Sequence, residues 1–305
     1  MNNTHIAPIF YLATLYLIIF SPATSIASYA IEAIQSHEYS HIVFLYDDSD
    51  KKYVLKQIVS DDVTDNFYLA LEAFCYEVAQ KINIPSPHLV HIVSPGVSSV
   101  GKKHDARPAL LMSYVPGTSP WYNLQQKSWH GYSWSYLKPR PFQDTGLTRT
   151  VIRSMASHPH AAALVAYDTF IGNSDRGNNN LLYDEATDTL YAIDAGDAWR
   201  CDLGKEACMQ LALLCSQGIS FTQEERKALV CYHDMLKRLI KLYPSPELLI
   251  ERLIAYALQC GFDHEELIDP ASSIGEQFHA YRQIICNNHA SCCALVWLLE
   301  KILRS

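Results

Sequence analysis

A polar segment enclosed between two apolar runs places the strongest constraint on the fold. Residues 170–199 read FIGNSDRGNNNLLYDEATDTLYAIDAGDAW, with short polar side chains first and alternating apolar residues after them. Asn, Asp and Gly are frequent in turns because they tolerate unusual backbone angles. The pattern predicts a helix end, a tight loop and a β-hairpin. A turn alone does not require Asp175, Asn180 and Asp194 together, so these residues are the first candidates for a functional site.

The residues before this segment are rich in strand signals. Residues 41–60 contain β-branched and aromatic side chains on both sides of the polar turn at residues 47–50, which predicts two strands. Residues 67–82 carry one apolar stripe at helical spacing, with Asp65 or Thr64 as its cap. Two further strands follow, and the second ends at the turn Pro116-Gly117.

The residues after the segment favour helices. Amphipathic stretches begin after residue 220, with Thr222 and Ser245 as predicted caps. The order of elements predicts an α+β fold with a small β-rich part that contains one helix and a larger helical part. The predicted divisions are a hydrophobic N-terminal segment at 1–30, a β-rich part at 31–117 and a helical part at 118–305.

Composition restricts the class of partner. The chain has 305 residues, of which 49% are hydrophobic and 18% charged, and its formal net charge is −8. These values are typical of a globular protein with a substantial core. The sequence contains no run of basic residues that could neutralise phosphates along a nucleic acid. We therefore expect no nucleic-acid partner.

The N-terminus contains an unusual apolar stretch. No Lys, Arg, Asp or Glu occurs from Met1 to Ile31, and residues 6–20 are almost wholly apolar. Small residues at Ser25-Ile26-Ala27 have the spacing that a signal peptidase reads, although the positive n-region is missing. We expect export or N-terminal anchoring, with membrane contact only through this segment if it is not cleaved. A buried N-terminal helix or strand is the alternative, because the run is shorter than the ~20 residues of a membrane span.

The nine cysteines leave three interpretations open. Eight of them follow residue 200, and the sequence CNNHASCC at 286–293 offers three Cys and one His as possible metal ligands. This stretch is interpreted as a loop that enters an apolar helix. Disulfides in an exported protein and buried thiols that act as small apolar groups are the other two possibilities.

The spacing of Asp175, Asn180 and Asp194 matches the requirements of phosphoryl transfer. One carboxylate must orient and deprotonate the acceptor hydroxyl, while a second carboxylate and a neutral oxygen ligand hold Mg²⁺ against the phosphates. Upstream, Lys56 lies on a predicted strand just before the helix, where a phosphate-binding Lys is expected. Its acidic partner on that helix is Glu72 or Glu77, and the apolar periodicity does not distinguish them.

These motifs together resemble the catalytic region of atypical kinases, the HipA-like and phosphoinositide 3/4-kinase-like branch of the kinase superfamily. The resemblance rests on AYDTFIGNSDRGNNNLLYD, LYAIDAGDAW, YVLKQ, LEAFCYEVAQKINIPSP and LLMSYVPG in the expected order, and it covers residues 40–200. It implies a bilobal protein-kinase-like fold and a kinase that uses ATP and Mg²⁺. The family spacing before the Ile-Pro-x-Pro turn favours Glu72 over Glu77.

The resemblance also implies roles for individual residues. Asp175 is the expected catalytic base and Arg176 the residue beside it in the catalytic loop. Asn180 and Asp194 are the expected Mg²⁺ ligands. The expected ATP contacts are Lys56, Glu72 and the backbone of Met112 and Tyr114. Asp168, on the preceding apolar helix, is expected to be a buried hydrogen-bonding group.

The acceptor and the activity remain open at this level. The HipA-like resemblance favours a protein Ser/Thr hydroxyl, and the phosphoinositide branch would imply a lipid headgroup. A small-molecule acceptor is a third option. Gly177 stands where the family usually has His, and no glycine-rich loop precedes Lys56. A nucleotide-binding pseudokinase that acts as an interaction module is therefore the alternative to an active enzyme.

Overall fold

A computed structural model describes residues 17–20, 26–36, 40–58, 67–93, 107–117, 146–174, 176 and 180–304. These residues form an α+β structure in which an antiparallel sheet is followed by a mostly helical part. The strands are β1 (Leu17–Phe20), β2 (Ile26–Ser36), β3 (Ser40–Asp47), β4 (Lys52–Ile58), β5 (Leu89–Val93), β6 (Ala109–Ser113), β7 (Leu181–Asp184) and β8 (Thr189–Ala192). The helices are α1 (Phe67–Lys81), α2 (Gly146–Ser157), α3 (Ala161–Phe170), α4 (Leu203–Ser216), α5 (Gln223–Leu242), α6 (Pro246–Gln259), α7 (His264–Ile268) and α8 (Ser273–Arg304).

The six-stranded sheet has the order β1-β2-β3-β4-β6-β5, and its neighbouring strands run antiparallel. Lys56 on β4 lies opposite Ile42 on one side and Leu110 on the other. Strands β7 and β8 form a separate hairpin. The predicted turn at residues 47–50 joins β3 to β4, where the Asp47 carboxylate accepts from the backbone N–H groups of Ser49 and Lys51.

The two faces of the sheet bury different sets of residues, because successive side chains of a strand point to opposite faces. One face contributes Ile58, Leu110 and Met112 to the large core, and Val54 packs against this core. The other face forms a separate cluster of Val43, Leu45, Tyr53, Leu55, Val93, Ala109 and Leu111. Lys56 is two residues from both Val54 and Ile58 and therefore lies on the face that meets α1.

Helix α1 is covered on more than one side by other elements. Most of its residues from Phe67 to Ala79 are buried. Phe67 packs against Phe262 and Tyr281, with ring centroids 5.8 and 5.4 Å apart. Phe74 packs against Tyr256 of α6 at 6.1 Å. The C-terminal helices thus fix α1 against the sheet, which fixes the position of any functional residue that α1 carries.

Several predicted elements are confirmed, and one is wrong. The strands before Pro116, the helix from Phe67 and the hairpin after Asn180 are present. Thr222 caps α5 in a full capping box, whereas Ser245 occupies the N-cap of α6 without a side-chain cap bond. The proposed caps Thr64 and Asp65 lie outside the described residues.

The predicted loop at 286–293 is instead the middle of the long helix α8. Two of its polar side chains, Asn288 and His289, are buried and form hydrogen bonds with backbone carbonyls. The buried amide of Asn288 donates to the carbonyls of Thr169 and Phe170 at the end of α3, and His289 Nε2 lies 2.8 Å from the Tyr243 carbonyl. These contacts let polar residues occupy a buried helix face, which the sequence pattern did not indicate.

The N-terminal stretch contributes strands to the sheet. Strand β1 pairs with β2, and β2 pairs with β3. Residues 1–16 and 21–25 lie outside the described residues, so export, anchoring and a buried N-terminus all stay predictions. Of the helices that the structure describes, none is long and apolar enough to cross a membrane.

Candidate functional site

The ammonium group of Lys56 contacts two carboxylates that come from distant parts of the chain. Its Nζ lies 2.8 Å from Glu72 Oε2 and 2.8 Å from Asp194 Oδ1. These partners are 16 and 138 positions away in sequence. The Lys56 side chain is only 12% exposed, so this contact is a largely buried junction between β4, α1 and the loop after β8.

The structure distinguishes the two candidate acidic residues of α1. Glu72 faces the sheet and Lys56, and it is 2% exposed. Glu77 faces the C-terminal helices, where its carboxylate accepts from Arg252, from the Tyr256 hydroxyl at 2.6 Å and from Lys81 at 2.5 Å. Side chains five positions apart on an α-helix point in directions that differ by about 140°. Glu72 and Glu77 therefore cannot face the same neighbouring element.

Tyr76 connects the two carboxylate-bearing elements. Its hydroxyl donates to Glu72 Oε1 at 2.7 Å and accepts from the backbone N–H of Asp194 at 3.0 Å. Burial, followed by the charge of Glu72, raises the pKa of Tyr76 well above its ordinary value, so the hydroxyl retains its proton. The sequence analysis did not select this residue. The available signal was its position four residues after Glu72, which places both on one face of α1.

The charges of the junction stabilise one another. Burial lowers the pKa of Lys56, but the charges of Glu72 and Asp194 outweigh that effect and raise the pKa above its ordinary value. Partial burial raises the pKa of Asp194, and the charge and hydrogen bond of Lys56 lower it by more, so the net shift is downward. Burial raises the pKa of Glu72, while Lys56 opposes this shift. Lys56 and Asp194 therefore remain charged at neutral pH.

Asn180 and Asp194 lie at the same end of the β7–β8 hairpin. The Asn180 carbonyl accepts from the backbone N–H of Ile193 at 3.1 Å, which extends the hairpin to the residue before Asp194. Asp194 itself has a φ of 51°, a left-handed conformation that is uncommon for a residue other than glycine. Its side chain is 52% exposed, in contrast to Glu72. The backbone of Asn180 is therefore next to the residue that precedes Asp194, at the end of the hairpin where both strands meet the rest of the chain.

Arg176 lies inside the protein and braces the loop. Its guanidinium donates to both oxygens of Asp168 at 3.0–3.2 Å and to the Asn180 carbonyl at 2.8 Å. A further bond goes to the Ile193 carbonyl. Arg176 and Asp168 are 0% and 2% exposed. These contacts hold the guanidinium away from solvent, so Arg176 links α3 to the two strands of the hairpin. Asp168 is the buried hydrogen-bonding group that the sequence predicted.

Most of the predicted catalytic loop, residues 175 and 177–179, lies outside the described residues. Asp175, the predicted base, and Gly177, which replaces the usual His, both lie outside the described residues. Their neighbours Arg176 and Asn180 are described, and both are held by the contacts above. The roles of Asp175 and Gly177 therefore stay predictions.

Met112 lies on β6 and Tyr114 directly follows this strand. Met112 is buried in β6 between Val54 of β4 and Leu89 of β5. The backbone N–H of Tyr114 donates to the Lys52 carbonyl at 3.2 Å. That bond occupies the Tyr114 N–H in strand pairing, so an adenine edge would have to use other backbone groups of this connection.

The connection from Asp194 to α4 is short and packed into the core. Ala195, Ala198 and Trp199 are buried, and the backbone N–H of Trp199 donates to the Ile171 carbonyl at 2.7 Å. Gly172 has a φ of 58°, and a β-carbon there would lie 2.5 Å from the Cys201 carbonyl oxygen. The backbone at this point therefore requires glycine, and the segment after Asp194 is held closely against the end of α3.

The cysteines provide neither cross-links nor a metal site in this structure. All nine are free thiols. Within the ranges that the structure describes, no group of three or more His, Cys, Asp or Glu side chains could hold a metal ion. The metal interpretation of residues 286–293 is not supported, since that stretch is helical. Burial raises the pKa of the Cys75 and Cys292 thiols well above the ordinary value, as expected for small apolar groups.

Comparison with known proteins gives no independent assignment. No protein-family model matches the chain, and a search of curated proteins finds no significant match. The geometry of this chain and the motifs in its sequence are therefore the basis for proposing a function.

Proposed function

We propose that this chain is an ATP- and Mg²⁺-dependent phosphotransferase with a bilobal protein-kinase-like fold. The observation that carries the proposal is the position of the Lys56 ammonium, 2.8 Å from both Glu72 and Asp194. A phosphate-binding Lys held by an acidic residue of the neighbouring helix, beside a metal-binding Asp, is the arrangement that protein kinases require. The sheet with α1 would form the smaller lobe and the helices from α2 onward the larger lobe.

Each residue of the site has a distinct role in this proposal. Lys56 would bind the α- and β-phosphates of ATP, and Glu72 would orient Lys56. Asp175 would accept the proton of the acceptor hydroxyl as that oxygen bonds to the γ-phosphorus, the bond from the γ-phosphorus to the β–γ bridging oxygen breaks and ADP leaves. Arg176 would act indirectly, because its bonds to Asp168 and to the Asn180 carbonyl support the loop that carries Asp175.

The metal would be held by Asn180 and Asp194. Magnesium in nucleotide sites is commonly bound by one or two protein oxygen ligands together with substrate phosphates. One amide oxygen and one half-exposed carboxylate suit this chemistry, and no larger cluster of ligands is needed. When bound with ATP, Mg²⁺ neutralises charge that develops on the phosphates.

The proposed acceptor is a protein Ser or Thr hydroxyl. This choice follows the HipA-like motif, in which the catalytic Asp is followed by Arg. A lipid headgroup is the alternative within the same reaction class, and basic residues that could hold such a headgroup are sparse in the sequence. A membrane would be contacted only through the N-terminal apolar segment, if that segment is not cleaved.

One observation favours a second function, that of a nucleotide-binding pseudokinase. Gly177 has no side chain that could reach the transferring phosphate, whereas the related kinases use His or Lys nearby. Positioned charge is the main contribution of the protein to phosphoryl transfer. A chain that keeps Lys56, Asn180 and Asp194 but lacks this charge could retain nucleotide binding without turnover.

The decisive experiment measures Mg²⁺-dependent transfer of the γ-phosphate and nucleotide binding in the same preparations. The protein is incubated with labelled ATP, with and without Mg²⁺, and autophosphorylation is quantified. We expect Lys56→Met and Asp194→Asn to reduce transfer by about 100-fold or more, because each removes a charge that acts on the phosphates or the metal. Lys51→Met and Asp184→Asn are controls of the same residue types outside the junction and should leave transfer unchanged.

The outcomes separate the two candidate functions. Transfer that requires Mg²⁺, Lys56 and Asp194 supports the enzyme. Nucleotide binding that depends on Lys56 but yields no transfer supports the pseudokinase. Absence of both binding and transfer, in a protein that unfolds cooperatively, would overturn the nucleotide-site assignment.

A further inference from the structure

A buried histidine lies at the contact between the α2–α3 connection and the β7–β8 hairpin. This residue, His158, follows the last residue of α2 and is 7% exposed. Its ring lies edge-on to Tyr183 of β7, with ring centroids 6.3 Å apart. Its Nε2 lies 3.5 Å from Asp188 Oδ1 in the turn of the hairpin. A titratable ring is therefore buried between two elements that are separate in the sequence.

Asp188 fixes the other side of this contact. The Tyr183 hydroxyl donates to Asp188 Oδ1 at 2.7 Å, so the carboxylate is bonded to the strand that precedes the turn. Asp188 has a φ of 50°, a left-handed conformation that is uncommon for a residue other than glycine. The conformation of the turn and its contact with His158 thus depend on the same residue.

A second hydrogen bond determines where the proton of the neutral His158 ring lies. The backbone N–H of His160 donates to His158 Nδ1 at 3.1 Å. A ring nitrogen accepts only when it carries no proton, so the neutral ring has its proton on Nε2, the nitrogen that lies near Asp188. A second proton would bind to Nδ1, directly opposite the His160 N–H. The hydrogen bond would then be lost, and two donors would face each other inside the protein.

Three described titratable side chains face the His158 ring. They are Asp188, Tyr183 and His160, whose ring centroid is 5.3 Å from that of His158. Burial is the largest effect on the pKa of His158 and lowers it, the charge of Asp188 raises it, and His160 lowers it further. The net result is a pKa below the ordinary value of 6.5. The closed contact therefore favours the neutral ring.

We propose that His158 is an acid-sensitive latch, which holds the turn of the β7–β8 hairpin against the α2–α3 connection at neutral pH and releases it in mildly acidic solution. The contact has its full stability above pH 6.5, where the ring is neutral in both the closed and the opened state. Below this pH the opened state binds a proton that the closed state excludes, so acid favours opening. The latch does not depend on the proposed phosphotransferase activity.

Amide hydrogen exchange of the full chain, measured by mass spectrometry, tests the latch. Protection factors of residues 181–192 are determined at about pH 7.5 and about pH 5.5, with correction for the intrinsic exchange rate at each pH, and are compared with those of α6. We expect protection of the hairpin to fall about three- to tenfold relative to α6. A proton that is fully excluded from the closed state would favour opening by about tenfold over this range, which sets the upper limit.

Variants without a titratable group at this position isolate the contribution of His158. His158→Asn places an amide oxygen near the position of Nδ1, so the bond from the His160 N–H can be kept, and it cannot bind a proton near neutral pH. It should keep the protection of the hairpin at about pH 7.5 and lose the response to acid. His158→Gln is a second variant of this kind, for use if the first does not unfold cooperatively in urea. His279→Asn replaces an exposed His on α8 and should respond to acid as the unmodified chain does.

Three results would overturn the proposal. The first is equal protection of the hairpin at both pH values in the unmodified chain. The second is a loss of protection in α6 as large as that in the hairpin, which would show that acid destabilises the whole fold. The third is an unchanged acid response of the hairpin in a cooperatively folded His158 variant. Each result can be obtained whether or not the chain transfers phosphate.

Discussion

The substitution Tyr76→Phe tests whether the Tyr76 hydroxyl links α1 to the segment at Asp194 and stabilises the fold. It removes a single oxygen and retains the ring, so the packing of α1 is kept. That oxygen donates to the Glu72 carboxylate and accepts from the Asp194 N–H, at 2.7 and 3.0 Å. Tyr76 and Glu72 are both 2% exposed, so water cannot readily replace the lost bonds.

The expected loss of stability follows from the two bonds. A hydrogen bond to a charged group contributes about 1.5–3 kcal/mol and a neutral one about 0.5–1.5 kcal/mol. The variant should therefore lose about 2–4.5 kcal/mol of unfolding free energy. Tyr167→Phe is the matched control. The buried Tyr167 hydroxyl on α3 donates a single hydrogen bond of 2.9 Å to the Cys75 carbonyl on α1, the helix that also carries Tyr76. That variant should lose about 1 kcal/mol.

Urea denaturation at neutral pH, followed by circular dichroism, measures both variants on the same scale. If the chain is a kinase, phosphoryl transfer should also fall more in Tyr76→Phe than in Tyr167→Phe, since only Tyr76 contacts Asp194. Equal losses of unfolding free energy in the two variants would refute the argument. So would a loss below about 1 kcal/mol in Tyr76→Phe, because the charged hydrogen bond alone should exceed it.

Three further predictions concern other parts of the molecule. Burial raises the pKa of Glu77, but bonds from Arg252, Lys81 and Tyr256 outweigh it and hold the pKa below its usual 4.5. The carboxylate therefore stabilises the fold above pH 4.5 and loses this effect in acid. In urea titrations Glu77→Gln should lower the free energy of unfolding by about 1–2 kcal/mol at pH 7 and by progressively less below pH 4.5. A loss of unfolding free energy that is the same at every pH would contradict this. Gly177→His should preserve or raise phosphate transfer and Asp175→Ala should abolish it in the labelled-ATP assay, whereas no effect of either change would favour the pseudokinase. Protein isolated from its native host should begin near Ser28 or be bound to a membrane; mass spectrometry that finds intact Met1 on a freely soluble protein would exclude export.

The candidate site could be predicted only in part, because its residues differ in how local their signals are. Asn180 and Asp194 belong to a short hairpin, whose turn residues and apolar alternation are local features. The contact between Lys56 and Glu72 requires β4 to pack against α1, which is not a local feature. The sequence therefore limited the acidic partner of Lys56 to two residues, Glu72 and Glu77. Tyr76 was missed because a tyrosine in an apolar helical stripe ordinarily indicates core packing, and its polar partners lie on other elements.

Local chemistry by itself determined the type and order of the main elements in this protein. Alternating apolar residues gave the strands, helical spacing gave α1 and the later helices, and polar turn residues gave the hairpin before Asp194. These features depend on neighbours within a few positions along the chain, so the amino-acid sequence contains them directly.

Only the tertiary structure decided which side chains meet. It placed Glu72 on Lys56 and Glu77 on Arg252, and it paired Arg176 with Asp168 inside the protein. Residues 286–293, which the sequence predicted as a loop, lie in helix α8, where the buried Asn288 donates to the end of α3. The physical reason is that the free energy of a buried polar group depends on the partner that reaches it, and that partner lies far away in sequence.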